Sequence, residues 1–286
     1  YIKNIRINIF QLFALFVPIF LLYPIAEIEV LGRKEMLIFL FFITALFLCD
    51  KKFPKFIVNS YVCIFFPIGC LVWEQVILYA PFIAATLTIK NNLTTLTDTF
   101  KKLTIIFIPT IFTMLIIFAF PLSKEGHQIM CDFLSNEFGE TCYMSANLLV
   151  SNTIYFDTFD FVHKNNNFFH YLRYVLIFLI GFLPLNILVS QNKFVKKENF
   201  ISKNFNLNIL FFTMYSPAIL LFTFGYDWGR WVNITYSFSI LFYFYLLKNS
   251  IITNELNITN TIWEKIFKKK NRFNFYIYSI CIFLES

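Results

Sequence analysis

The chain has 286 residues, of which 58% are hydrophobic and only 14% charged, with 24 Lys and Arg against 17 Asp and Glu for a formal charge of +7. A soluble domain of this size carries about 25% charged residues. The missing charge is lost from long apolar runs separated by short polar segments, a pattern that excludes an ordinary water-soluble fold and implies a lipid solvent.

The apolar runs, in chain order, are residues 7–26, 36–49, 57–89, 103–122, 168–190, 209–226, 232–247 and 275–284. The second is short and extends back through Val30, Leu31 and Gly32. The third is too long for one crossing and is interrupted by Pro67, Gly69, the polar group Trp73-Glu74-Gln75, and Pro81. It reads as two short helices meeting near 69–74, a hairpin whose irregular backbone must be buried in protein or line a wet cavity. The last run is about half of the roughly 20 residues a crossing needs. With a start at Tyr1 rather than Met, that reads as a piece of a longer chain. The 41 Phe also match A·T-rich codon usage.

Alternate loops then divide the basic residues eighteen to six. The rich set comprises the N-terminus and the segments around 51–55, 90–102, 193–203 and 248–272. Cytoplasmic loops carry this excess, and the bias appears only if 57–89 crosses twice. The expected architecture is therefore an all-α polytopic transmembrane bundle of about eight spans, the last partial, forming a single domain over 1–286. Its N-terminus is cytoplasmic and one larger extracytoplasmic loop covers 123–167. Within 257–270, Ile258, Ile262, Trp263, Ile266 and Phe267 share a helical face with lysines beyond, which reads as a cytoplasmic interfacial helix. A helix for docking a partner protein is the alternative. The net positive charge follows from topology and anionic headgroups, so no nucleic-acid partner is implied.

Cys131 and Cys142 share the outer loop and are a disulfide candidate in an oxidising compartment. Cys49, Cys63, Cys70 and Cys281 lie in or beside apolar runs and read as packing residues. No zinc-ligand spacing is present, nor any GxGxxG, P-loop, HExxH or GxSxG motif. No metal or cofactor site is expected.

Charge inside a span is costly unless it faces a cavity or a partner, and several charges sit at the outer lip: Arg33 with Glu35, Glu74, Arg173, Asp227 and Arg230. Helix-end charges also reach headgroups by snorkelling, but several on one side favour a shared pocket. In 225–231, Asp227 and Arg230 stand one turn apart. Trp228 and Trp231 flank the arginine, and Gly225 and Gly229 would permit a sharp turn between spans. An interfacial aromatic belt explains the tryptophans but not the Asp–Arg pair. Glu74 lies at the hairpin apex, as a general base, as an orienting partner for an arginine, or as a plug for broken-helix backbone. His170 and Arg173 share a face at the start of the fifth run, whereas His127 and His163 read as solvated loop residues.

Three of these stretches, LGRKE (31–35), WEQVILYAPFI (73–83) and YDWGRW (226–231), together with the many-span layout, resemble the bacterial Wzy-like O-antigen and exopolysaccharide polymerase group. Relatives often have His where this chain has Trp73. The resemblance implies an inner-membrane enzyme of polysaccharide biosynthesis, a glycosyltransferase that joins polyprenyl-pyrophosphate-linked saccharide units on the outer face. It casts Glu74, Asp227 and Arg230 as catalytic, and Arg33, His170, Arg173, Trp228 and Trp231 as substrate-binding. Guanidinium groups suit a pyrophosphate leaving group, a carboxylate or His suits the acceptor proton, and neither metal nor cofactor is required. Alternatives are a polyprenyl-phosphate-sugar glycosyltransferase, for which Glu27, Glu29 and Glu35 supply outer-loop acid; a transporter or flippase, which would show duplicated broken helices; and an assembly subunit.

Overall fold

The computed structural model describes residues 9–17, 34–50, 52–120, 123–139, 168–221 and 228–253, without the side chains of Ile9, Phe10, Lys124, His170, Arg173, Tyr174 and Trp228. The described residues are helical, with no strand among them beyond an isolated antiparallel bridge between Phe194 and Ile252. The expected surface helix at 257–270 and the run 275–284 lie outside the described residues.

The helices are α1 (Ile9–Leu15), α2 (Glu35–Leu48), α3 (Lys55–Val72), α4 (Ala80–Asn91), α5 (Leu96–Ala119), α6 (Lys124–Phe138), α7 (Phe168–Gly181), α8 (Leu183–Gln191), α9 (Phe200–Asn204), α10 (Leu207–Ile219) and α11 (Trp228–Lys248), with a 3-10 helix over Glu74–Tyr79. Short polar side chains set many of the starts. Thr95, Ser123, Asn199 and Asn206 each accept a hydrogen bond from the backbone N–H three residues on, satisfying donors that a helix N-terminus otherwise leaves open. Left-handed residues close two of the ends: Asn92 (φ 56°) after α4 and Gly139 (φ 64°) after α6.

The long run 57–89 doubles back as its sequence implies. Lys55 Nζ at the start of α3 donates to the Asn91 carbonyl at the end of α4 (3.0 Å), and the Asn59 and Asn91 amides exchange hydrogen bonds of 3.2 and 3.0 Å. Trp73, in extended conformation, ends α3, and the 3-10 helix then leads into α4, which carries Pro81 in its first turn, where the missing N–H is harmless.

Other boundaries differ from the hydropathy reading. The run 168–190 is two helices, because Phe182 breaks it and Pro184 starts a new first turn. The loop after α5 contains α6. Gly229 lies within the first turn of α11 rather than in a turn between spans.

α11 is the axis of the packed core. From Trp231 to Leu247 every side chain except Leu241 is buried. Phe238 stacks on Phe42 of α2 (4.0 Å between ring centroids) and meets Tyr79 and Phe82. Phe182 packs edge-on against Tyr236 and Tyr215. α3 and α5 run side by side in the same direction, touching through Phe66 and Phe107. These two are long and apolar enough to cross a membrane, and only 28% and 17% of their apolar windows are buried. α2 and α11 also run in the same direction, joined near one end by Glu35–Arg230 (2.9 Å) and at the other by Asp50–Lys248 (3.0 Å).

Candidate functional site

The Glu35–Arg230 ion pair is the centre of the candidate site. Glu35 opens α2, where the helix dipole favours a carboxylate, and is 2% exposed. Arg230 lies in the first turn of α11, where the dipole disfavours a cation, so the arginine depends on a partner from elsewhere in the fold. At 2.9 Å and an effective dielectric of 20 the attraction is about 6 kcal/mol. Desolvating two ions costs several kcal/mol each. The pair therefore contributes little net stability, yet removing Arg230 would leave a carboxylate that is 2% exposed without its ion pair.

Around the pair stand residues from the hairpin apex. Trp73 is 4% exposed, and Lys34 Nζ lies 5.6 Å from its ring centroid, a cation–π distance. Tyr79 is fully buried, with its hydroxyl directed toward Thr235 of α11 and within electrostatic reach of Glu35. Trp231, next to Arg230 in α11, is 3% exposed. Glu74, the apex carboxylate, is half-buried, and among the described residues no cation lies within ion-pair distance of it.

Three stretches far apart in sequence thus meet at one end of the bundle: Lys34 and Glu35, Trp73 to Tyr79, and Arg230 with Trp231. The carboxylate that receives Arg230 is Glu35, which the sequence reading placed at the outer lip beside Arg33 but not among the catalytic residues. The available signal was a carboxylate opening an apolar helix with only Ile38 and Phe39 three and four residues on, and therefore no ionic partner on its own helix. Arg33 and Asp227 lie outside the described residues, as do the side chains of His170, Arg173 and Trp228.

The opposite end is lysine-rich and serves the fold. Lys90 Nζ donates to the carbonyls of Asp50 and Phe53, and Lys55 and Lys248 satisfy the Asn91 carbonyl and the Asp50 carboxylate, as basic groups commonly do at helix C-termini. Burial lowers the Lys90 pKa from the ordinary lysine value, while Cys49 and Asp50 act the other way. A hollow of about 360 Å³ lies at this end, lined by Asn92, Asp98, Lys101 and Lys102. The ion pair, in contrast, is enclosed by side chains, with Arg230 keeping 15% exposure.

Among the described residues no group of three His, Cys, Asp or Glu could hold a metal ion. Cys131 is disulfide-bonded, and Cys142, its expected partner, lies outside the described residues. Cys49, Cys63 and Cys70 are free thiols within the helices or at their ends. Comparison with family models, with curated proteins and with solved structures finds no match for this chain.

Proposed function

We propose that the chain is a polytopic inner-membrane protein of about eight spans and acts as a glycan polymerase, joining polyprenyl-pyrophosphate-linked saccharide units at the outer face. One observation carries the reading. The three stretches that resemble the Wzy-like polymerase group contribute, between them, a buried carboxylate, a partly exposed guanidinium 2.9 Å away and a cation–π pair at the same end of the bundle. Support for the membrane assignment comes from α3 and α5, which turn Ile64, Phe65, Ile108, Phe112 and Leu115 outward. Stripes of this extent do not face water in a soluble monomer.

In this reading Arg230 exchanges its partner during the reaction. An incoming pyrophosphate offers two acceptor oxygens in the plane of the guanidinium fork. As Arg230 turns to it, the Glu35 carboxylate is released from the ion pair. Glu35 then takes the proton of the acceptor hydroxyl as that oxygen attacks the anomeric carbon, and the polyprenyl pyrophosphate leaves against Arg230. Glu74, at the apex, is positioned to orient sugar hydroxyls.

The test is complementation of a strain lacking the native gene, with polymer length read on a gel. Arg230→Lys keeps the charge but loses the bidentate fork, and is expected to collapse the ladder to single repeats. Undiminished chain length in that variant rejects Arg230 as the pyrophosphate ligand. Lipid-linked single repeats retained on the cytoplasmic side would instead mark a flippase.

A further inference from the structure

We infer that the hollow at the lysine-rich end binds one anionic glycerophospholipid with a hydroxylated headgroup, whose acyl chains lie along the exposed face of α5. The inference rests on the membrane assignment and not on the polymerase chemistry. The hollow measures about 360 Å³, within the roughly 300–1,000 Å³ of ligand clefts. One wall is the turn 92–94, and the other is formed by Asp98, Lys101, Lys102 and Ile105 of α5. The turn is held from two directions. The Leu93 N–H donates to the Thr88 carbonyl (3.1 Å), and the Leu93 carbonyl accepts from the Phe200 N–H of α9 (2.6 Å). The cleft is therefore built before any ligand arrives.

Asp98, Lys101, Lys102 and Ile105 stand at i, i+3, i+4 and i+7, so they share one face of α5. Ile108, Phe112 and Ile116 continue that face below the lysines, and with Ile105 they form an exposed apolar stripe. The packed side of the helix, with Thr99, Ile106, Thr110 and Met114, is the opposite one. From Ile105 to Ile116 the helix rises about 16 Å, about half of a hydrocarbon core of about 30 Å. An acyl chain in one leaflet therefore covers the stripe while its phosphate lies level with the lysine pair.

Charge selects the headgroup. Lys101 and Lys102 are exposed, and among the described residues neither makes a hydrogen bond or an ion pair. Lys55, Lys90 and Lys248, at the same end, are each bonded into the fold. Asp98 is the one acid lining the hollow, and one of its carboxylate oxygens accepts from the Thr95 hydroxyl (2.7 Å). Two ammonium groups and one carboxylate leave a single positive charge over, which a phosphodiester neutralises. A zwitterionic headgroup brings no net charge and leaves it uncompensated. Phosphate oxygens accept from the two lysines, and a headgroup hydroxyl donates to the second oxygen of Asp98.

The experiment titrates the purified full chain in detergent micelles with dioleoyl lipids and reads bound lipid by native mass spectrometry. Phosphatidylglycerol is expected to bind at least tenfold more tightly than phosphatidylcholine. It should also bind at least threefold more tightly than phosphatidylmethanol, which has the same charge and no headgroup hydroxyl, and Asp98→Ala should remove that preference. Lys101→Gln/Lys102→Gln should weaken phosphatidylglycerol binding at least tenfold. Lys196→Gln/Lys197→Gln, at exposed lysines outside the hollow, should leave it unchanged. Equal weakening by the two lysine pairs overturns the proposal, because general attraction to basic loops then accounts for binding. Equal affinity for phosphatidylglycerol and phosphatidylcholine, or for phosphatidylglycerol and phosphatidylmethanol, also overturns it. So does a lipid-free dimer that dissociates in Phe112→Asn, which gives the stripe to a second copy. A chain that alkaline carbonate strips from membranes fails the membrane reading itself, whereas one that stays in the membrane without lipid preference fails this site alone.

Discussion

α5 and α11 are similar in length, 24 and 21 residues, but they distribute polarity in opposite ways. α5 is rich in Ile and Phe, yet only 17% of its apolar window is buried, and Phe100, Ile105, Phe112 and Leu115 are each more than half exposed. α11 carries Asn233, Thr235, Ser237 and Ser239 among its tyrosines, and all of them are buried. In water the hydrophobic effect would draw α5 inward and leave the hydroxyls of α11 outside. The inverted arrangement is what packing in lipid selects, where tails are as apolar as leucine and small polar residues mediate close helix contact.

Three measurements on purified protein in detergent break or sharpen this comparison. The largest effect is expected at the end of α11. Glu35→Leu removes a buried partner of Arg230 at 2.9 Å and should destabilise by about 3 kcal/mol. Glu35→Leu combined with Arg230→Met removes both charges and should recover most of that loss. If the double variant unfolds as readily as the single one, the ion pair contributes more than compensation.

The middle effect contrasts two phenylalanines. Phe238 is 1% exposed and stacked on Phe42, so Phe238→Ala should cost about 3 kcal/mol. Phe112, 63% exposed, has few protein neighbours to lose, and Phe112→Ala should change unfolding by less than about 0.5 kcal/mol. Equal costs would mean that α5 is covered by something other than lipid or detergent.

The smallest effect is expected at Ser239, whose hydroxyl donates to the Thr235 carbonyl one turn back. Hydrogen bonds from such side chains in membrane helices average about 0.6 kcal/mol, and Ser239→Ala should cost no more. A loss of several kcal/mol would mean that the buried hydroxyls of α11 form a structural network.

Much of the fold was legible before any coordinates. The reversal within 57–89 follows from Pro67, Pro81 and the alternation of lysines, because charge distribution is a long-range constraint written locally in each loop. Helix starts at Thr95 and Asn206 are likewise local chemistry. What was not legible is tertiary. Arg230 has a sequence neighbour, Asp227, at the spacing of a helical pair, and no local rule points to Glu35 as a further partner. α6 escaped notice because its Ile129, Met130, Phe133, Leu134 and Phe138 alternate with polar residues and form no apolar run, although Ser123 and Gly139 mark both its ends. The division of 168–190 at Phe182 was hidden because hydropathy is blind to a turn made entirely of apolar residues. Within the candidate site, Glu74, Arg230 and Trp231 are singled out by sequence, while Arg33 and Asp227 lie outside the described residues. Which carboxylate meets which arginine could not be anticipated.

The paired clasps between α2 and α11 also dictate how such a molecule is made. Glu35 and Asp50 leave the ribosome nearly 200 residues before Arg230 and Lys248 do. At synthesis rates of 5–20 residues per second the interval is about 10–40 s. Throughout that time the carboxylates of Glu35 and Asp50 are without these two cationic partners. A chain that stops before Trp228 lacks Phe238, the ring on which Phe42, Tyr79 and Phe82 converge.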